Sequence, residues 1–148
     1  MIEINNLTKD RISKKFLKKI AKDVLKKEKP KRKIDLSIAL VNPLRIKELN
    51  KKYLKKNKPT DILSFPEDKK FLEKFKTSSS KKSRNLGEII ICPGEIKKNA
   101  KKFELSFNKE LTKVLIHGIL HLLGYGHENS KRKARIMEEK QQYYLLKL

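Results

Sequence analysis

Residues 114–130 read VLIHGILHLLGYGHENS, the longest stretch of the chain without a lysine or arginine, and they hold all three histidines. From Leu111 to Leu123 the apolar residues Leu111, Val114, Leu115, Ile116, Ile119, Leu120, Leu122 and Leu123 surround the helix on nearly every side. A helix apolar all round is a core helix, so the rest of the fold is expected to pack around this one. His117 and His121 are four residues apart and share one face of it, one turn from each other. Gly124 is the expected helix stop, and Tyr125-Gly126 then brings His127 back toward the same point. Two ligands from a helix and a third after a turn occupy three corners of a tetrahedron. The fourth corner is left for water, as in catalytic rather than structural zinc sites. Histidine ligation suits zinc and also nickel, cobalt or iron, and zinc lowers the pKa of bound water to about 7. The zinc-peptidase pattern HExxH needs a glutamate directly after its first histidine. Gly118 stands there, which speaks against a peptidase.

Working outward, the flanking sequence alternates helices and strands. Residues 1–7 begin with a short strand pattern, and Ile12, Phe16, Leu17, Ile20, Val24 and Leu25 mark an amphipathic helix over residues 9–27. Ile34, Leu36, Ile38 and Leu40 fall on one side of a strand at residues 34–41. Asn42-Pro43 signals an N-cap opening a helix through Tyr53. DILSFP (residues 61–66) reads as a short strand, and GEIIIC (87–92) as a strand in the middle of a sheet. Pro93 opens a helix through Phe103, Asn108 caps the histidine helix, and residues 130–147 form a closing helix. Residues 67–85, charged and then serine-rich, are expected to be a mobile loop. With 148 residues and no internal repeat, the chain reads as one domain, 1–148.

Charge is the strongest compositional feature, 39 Lys and Arg against 17 Asp and Glu, a net +22. Such a surface attracts polyanions, nucleic acid first among them. The bland alternative is a solvated lysine coat, since 33 of the 39 cations are Lys. The segment KKYLKKNK (51–58) offers Lys51, Lys52, Lys55, Lys56 and Lys58 as backbone-phosphate contacts. Without a membrane-spanning run or a signal-like start, and with one cysteine, Cys92, the expected compartment is the cytoplasm. Strong self-repulsion favours a monomer.

His117-Gly-Ile-Leu-His121-Leu-Leu-Gly124-Tyr125-Gly126-His127-Glu128 closely resembles the signature of YbeY-type endoribonucleases. Lys58-Pro-Thr-Asp-Ile-Leu-Ser-Phe-Pro66 and Leu86-Gly-Glu-Ile-Ile-Ile-Cys92 agree in order, so the likeness spans nearly the whole chain. The resemblance implies an α+β fold, a small mixed sheet of about four strands flanked by about five helices. It implies a zinc ion on His117, His121 and His127, and cleavage of single-stranded RNA. It implies work on ribosomal RNA, notably the 3′ end of the small-subunit RNA, and ribosome quality control, with ribosomal proteins as possible partners. A metal-bound water would serve in catalysis, with Glu128 a candidate to support a ligand or take a proton. Two positions depart from the family pattern. Gly126 replaces an aspartate, and Leu54 stands where an arginine would grip phosphate with a planar fork that lysine lacks. These departures keep two alternatives open: an RNA- or ribosome-binding factor with a structural metal, and a metal hydrolase of another substrate.

Overall fold

The computed structural model describes residues 1–28, 33–67, 83–125 and 130–147. Within them the chain runs β1 (Ile2–Asn6), α1 (Lys14–Glu28), β2 (Lys33–Leu40), α2 (Pro43–Leu54), β3 (Ile62–Pro66) and β4 (Ser83–Ile91). Three helices follow: α3 (Pro93–Lys102), α4 (Phe107–Leu122) and α5 (Lys131–Lys147). The four strands form one mixed sheet in the order β1-β2-β4-β3. β1 and β4 both run parallel to β2, whereas β3 returns antiparallel to β4. This is the α+β architecture expected. No described helix is long and apolar enough to cross a membrane.

The period-2 alternation of β2 sorts its side chains between two cores. Ile34, Leu36, Ile38 and Leu40 join the main core with Leu17, Ile20 and Val24 of α1 and the buried face of α4. Ala39 and Val41 point the other way, into a smaller cluster with Ile46 of α2, Leu63, Ile90 and Cys92. β4 contributes to both clusters, which is why Ile89 to Cys92 is an unbroken apolar run. Burial pushes the Cys92 thiol pKa up, so this lone cysteine is a packing residue.

Three boundaries differ from the sequence reading, two through a side-chain cap and one through strand pairing. Residues 9–13 precede α1 rather than start it. Ser13 Oγ accepts from Phe16 N at 3.1 Å, and a polar turn built on Asn6, Thr8 and Asp10 occupies the residues before it. Ser106, not Asn108, caps α4, its Oγ accepting from Lys109 N at 3.1 Å. Of the mobile loop expected at 67–85, residues 68–82 lie outside the described residues, and Ser83 to Asn85 are instead strand, paired with Lys33 to Asp35.

The register of β4 on β2 slips between Asp35 and Leu36, where Leu86 is the extra residue. Gly87, next in the chain, has φ +133°, and a Cβ there would stand 2.3 Å from Phe65 O. Glycine is thus required where β3 and β4 approach at the bulge. Gly87→Ala is expected to cost about 2–4 kcal/mol, combining left-handed strain with a backbone clash. Urea unfolding would measure it, and a loss under 1 kcal/mol would contradict the geometry.

Candidate metal and RNA site

α4 is held where the sheet needs it by a glycine and released where the site needs it by another. A Cβ on Gly118 would stand 2.6 Å from Ile62 Cδ1, 3.2 Å from Ser64 Oγ and 3.4 Å from Ile89 Cδ1. The bare backbone therefore lets α4 lie directly on β3 and β4. The position that would carry the general base of a zinc peptidase is packed shut. At the other end, Tyr125 N donates to Leu120 O and Gly124 N to His121 O, both at 3.0 Å, with Gly124 at φ +102°. This pair of bonds is the Schellman stop that the sequence predicted.

His117 and His121 are both half-buried on one face of α4. Their ring centres are 5.1 Å apart with planes at 85°. An ordinary edge-to-face pair has this spacing, and so do two imidazoles sharing one ion. Zinc–nitrogen bonds of about 2.0–2.1 Å at a tetrahedral angle put ring centres about 5 Å apart. His117 Nδ1 lies 2.9 Å from Gln141 Oε1 on α5. An amide oxygen accepts, so in the neutral ring this contact makes Nδ1 the donor and leaves Nε2 as the nitrogen for a ligand. The donor set thus fits a first-row metal ion. Among the described residues no group of three or more His, Cys, Asp or Glu converges as a metal site. His127, the expected third ligand, lies outside them, as do Glu128 and Gly126.

Gln141 is a residue the sequence reading missed, because a glutamine on a distant helix carries no local signal. α5 is set in register by a polar knot at its far side. Lys140 Nζ donates to both Glu28 oxygens at 3.0 and 2.9 Å, and Tyr144 Oη donates to Glu28 Oε2 at 2.6 Å. Burial raises the Glu28 pKa, but the hydrogen bonds from Tyr144 and Lys140 outweigh it and hold the carboxyl below its ordinary value. Burial and the same carboxylate push the Tyr144 hydroxyl well up. Tyr125, just past α4, packs against the main core, and Lys140 Nζ sits 4.8 Å from its ring centre.

Next to His117 opens a cleft of about 300 Å³, lined by Asp61, Asn99, Glu110 and Gln141 among others. Asp61 Oδ2 accepts from Asn99 Nδ2 at 3.4 Å, and its carbonyl accepts from Cys92 N at 2.9 Å. Its role is structural at the backbone, while its side chain borders the cleft. The segment leading into Asp61 carries the five candidate lysines, and Lys51, Lys52, Lys55, Lys56 and Lys58 are all exposed. Buried Asn50 pins this turn through Nδ2 to Lys58 O at 2.9 Å. Lys55 ends α2 in the left-handed conformation (φ 60°, ψ 25°), and Leu54, at the departure from the family pattern, is half exposed.

The profile of the family described as endoribonuclease YbeY matches residues 3–148. The chain belongs to the YbeY family. It is 41% identical to the endoribonuclease YbeY of Sulfurihydrogenibium sp. over 126 residues, 85% of this chain and 77% of that one. The same enzyme of Persephonella marina is 39% identical over 137 residues, 92% of this chain and 84% of the relative. The solution structure of a Thermotoga maritima protein superposes with a TM-score of 0.65 at 35% identity, covering 98% of this chain and 87% of that one. The YbeY resemblance seen in the histidine segment thus extends over the whole fold.

The Glu28 knot has a defined pH signature. A carboxyl whose folded pKa is lowered stabilises fully above its unfolded value, ordinarily 4.5, and that contribution fades as pH falls through the lower folded value. Glu28→Gln should cost about 1–3 kcal/mol at pH 7, the gap from the parent narrowing below pH 4.5. Parallel thermal melts of both proteins from pH 7 to pH 3 would read it. A gap unchanged with pH would mean that the charge on Glu28 is irrelevant.

Proposed function

We propose that this YbeY-family chain is a metal-dependent endoribonuclease of single-stranded RNA, acting in the cytoplasm on ribosomal RNA. The observation that carries the reading is the His117–His121 pair on a buried helix, its tautomer fixed by Gln141, opening beside a cleft in a protein of net charge +22. His127 completes the proposed ligand set, and zinc is the proposed ion, with nickel, cobalt or iron compatible with the same imidazoles. When bound, the ion supplies Lewis-acid polarisation of a phosphoryl oxygen and a water acidified to near neutrality.

The chain's own residues do the rest. Gln141 keeps the His117 Nδ1 proton in place, so Nε2 remains a ligand. The turn from Lys51 to Lys58 draws the phosphate backbone without reading sequence, as ammonium point charges do. Glu128 is the proposed acid–base support. The names of the relatives bring RNA cleavage; maturation of the small-subunit RNA 3′ end, ribosome quality control and a monomeric state belong to the same proposal. A second reading, RNA binding without turnover, is favoured by one feature, the exposed Leu54 where the family pattern has a guanidinium.

Two measurements test this. His117→Ala and His121→Ala should each abolish stoichiometric metal, measured by atomic emission, and cleavage of a single-stranded ribosomal RNA fragment. Cleavage that persists in a metal-free variant would end the hydrolase reading, while parent protein that binds RNA but never cuts it would favour the second one. Replacing Lys51, Lys52, Lys55, Lys56 and Lys58 by Ala singly should weaken binding similarly for every RNA sequence. Each phosphate contact removed should flatten the log–log salt slope by about 0.7 for single strands. An unaltered slope in all five would remove the lysine turn from the RNA path.

A further inference from the structure

The cleft beside His117 has a chemistry that the phosphate path does not explain. In a chain where cations outnumber acids 39 to 17, two carboxylates, Asp61 and Glu110, line it together with Lys113. Glu110 lies seven residues before His117, on the same face of α4. It is only 1% exposed, and its Oε2 has no hydrogen-bond partner. Lys113 Nζ stands 3.5 Å from that oxygen, within ion-pair range but short of a hydrogen bond. A buried acceptor left open costs about 1–3 kcal/mol. In a site built to bind a ligand, a donor on that ligand removes the penalty and rejects analogues that lack it.

What the cleft can accept follows from its walls. Two carboxylates beside one lysine make this lining a poorer phosphate cradle than the all-lysine turn from Lys51 to Lys58, to which the sugar–phosphate backbone is therefore assigned. Phe103, half exposed, supplies an aromatic wall, with Lys113 Nζ 4.9 Å and Lys102 Nζ 5.7 Å from its ring centre. A cleft of about 300 Å³ is at the small end of ligand sites and suits a single flat heterocycle. Unstacked RNA bases are recognised in just this way, by an aromatic face and by hydrogen bonds along the base edge.

We infer that this cleft seats one nucleobase of the bound RNA, next to the cut phosphate, and that it prefers guanine. This rests on the endoribonuclease reading for the location of the cut, though not for the binding itself. Guanine presents two adjacent donors, N1–H and N2–H, that can converge on the open Glu110 Oε2, and its O6 accepts from Lys113, which stands beside that oxygen. Adenine and cytosine offer one amino group to the same acceptor. Uracil places a carbonyl oxygen on each side of its single N–H, and one of them faces a carboxylate oxygen. Asp61 and Asn99 close the far wall, where their mutual hydrogen bond leaves further acceptor and donor capacity.

The test uses metal-loaded protein and 2′-O-methyl heptamers, which bind without being cut, all uridine except for a central G, A, C or U. Fluorescence anisotropy should rank G first, about 10-fold tighter than U, the range that one bidentate base contact supplies. Glu110→Gln should bring the G-to-U ratio to near one while the all-uridine affinity stays within about twofold. Should Glu110→Gln lower the melting temperature too far for use, Phe103→Ala, at a half-exposed position, takes its place and should erase most of the G preference. Equal affinity for all four heptamers overturns the inference, and so does an intact G preference in folded Glu110→Gln or Phe103→Ala. Cleavage of unmodified RNA, run alongside, separates the two claims. G-selective binding without cutting leaves the base site standing and removes the nuclease; cutting with no base preference in binding does the reverse.

Discussion

α4 lies against β3 and β4 across the single-atom side chain of Gly118, and the rest of the molecule is arranged around that contact. Leu111, Leu115, Ile116, Ile119 and Leu120 are almost fully buried, each contributing about 1.5–3 kcal/mol of apolar transfer. A helix buried this completely cannot tilt or slide without opening cavities. His117 and His121 are carried on it, so their separation is set by core packing rather than by a loop. The spacing of the two imidazoles is thus a by-product of core packing. The same packing crowds residue 118, where a Cβ would press on Ile62, and glycine stands there in place of the glutamate of the zinc-peptidase pattern.

The second layer of control comes from the chain's two ends. α1 finishes at Glu28 and α5 passes over it, and the carboxylate joins them through Lys140 and Tyr144. Gln141 follows Lys140 directly, so the knot that docks α5 also delivers the amide oxygen to His117. A charged hydrogen-bonded group with little exposure tolerates few alternative geometries. The helix register is therefore fixed more firmly than its weakly amphipathic sequence would achieve. The tautomer of a proposed ligand is thereby linked to Glu28, at the far end of α1.

Charge is distributed in two tiers. The outer lysines act at range on any polyanion, with strength that falls as salt rises. Inside the cleft two carboxylates, Asp61 and Glu110, stand beside Lys113, so its lining is of mixed sign where the turn from Lys51 to Lys58 is basic throughout. The proposed division, attraction by the turn and discrimination in the cleft, is one common where phosphates position a nucleic acid and bases specify it.

The sequence alone determined the elements and the histidine helix. Periodicity and cap signals placed the five helices and four strands of the described residues, the apolar run Ile89 to Cys92 marked the strand buried on both faces, and Gly124 marked the stop. These are local signals, and local spacing is what a helix or strand repeats. The errors at Ser13, Ser106 and Ser83 arose where two polar residues competed for one cap, or where strand pairing extended into a polar segment. Tertiary structure alone decided that Gly118 is a packing glycine, that Gln141 meets His117, and that Glu110 lines the cleft with one oxygen lacking a hydrogen bond. None of these follows from spacing along the chain, because each depends on which surfaces the sheet order β1-β2-β4-β3 brings together.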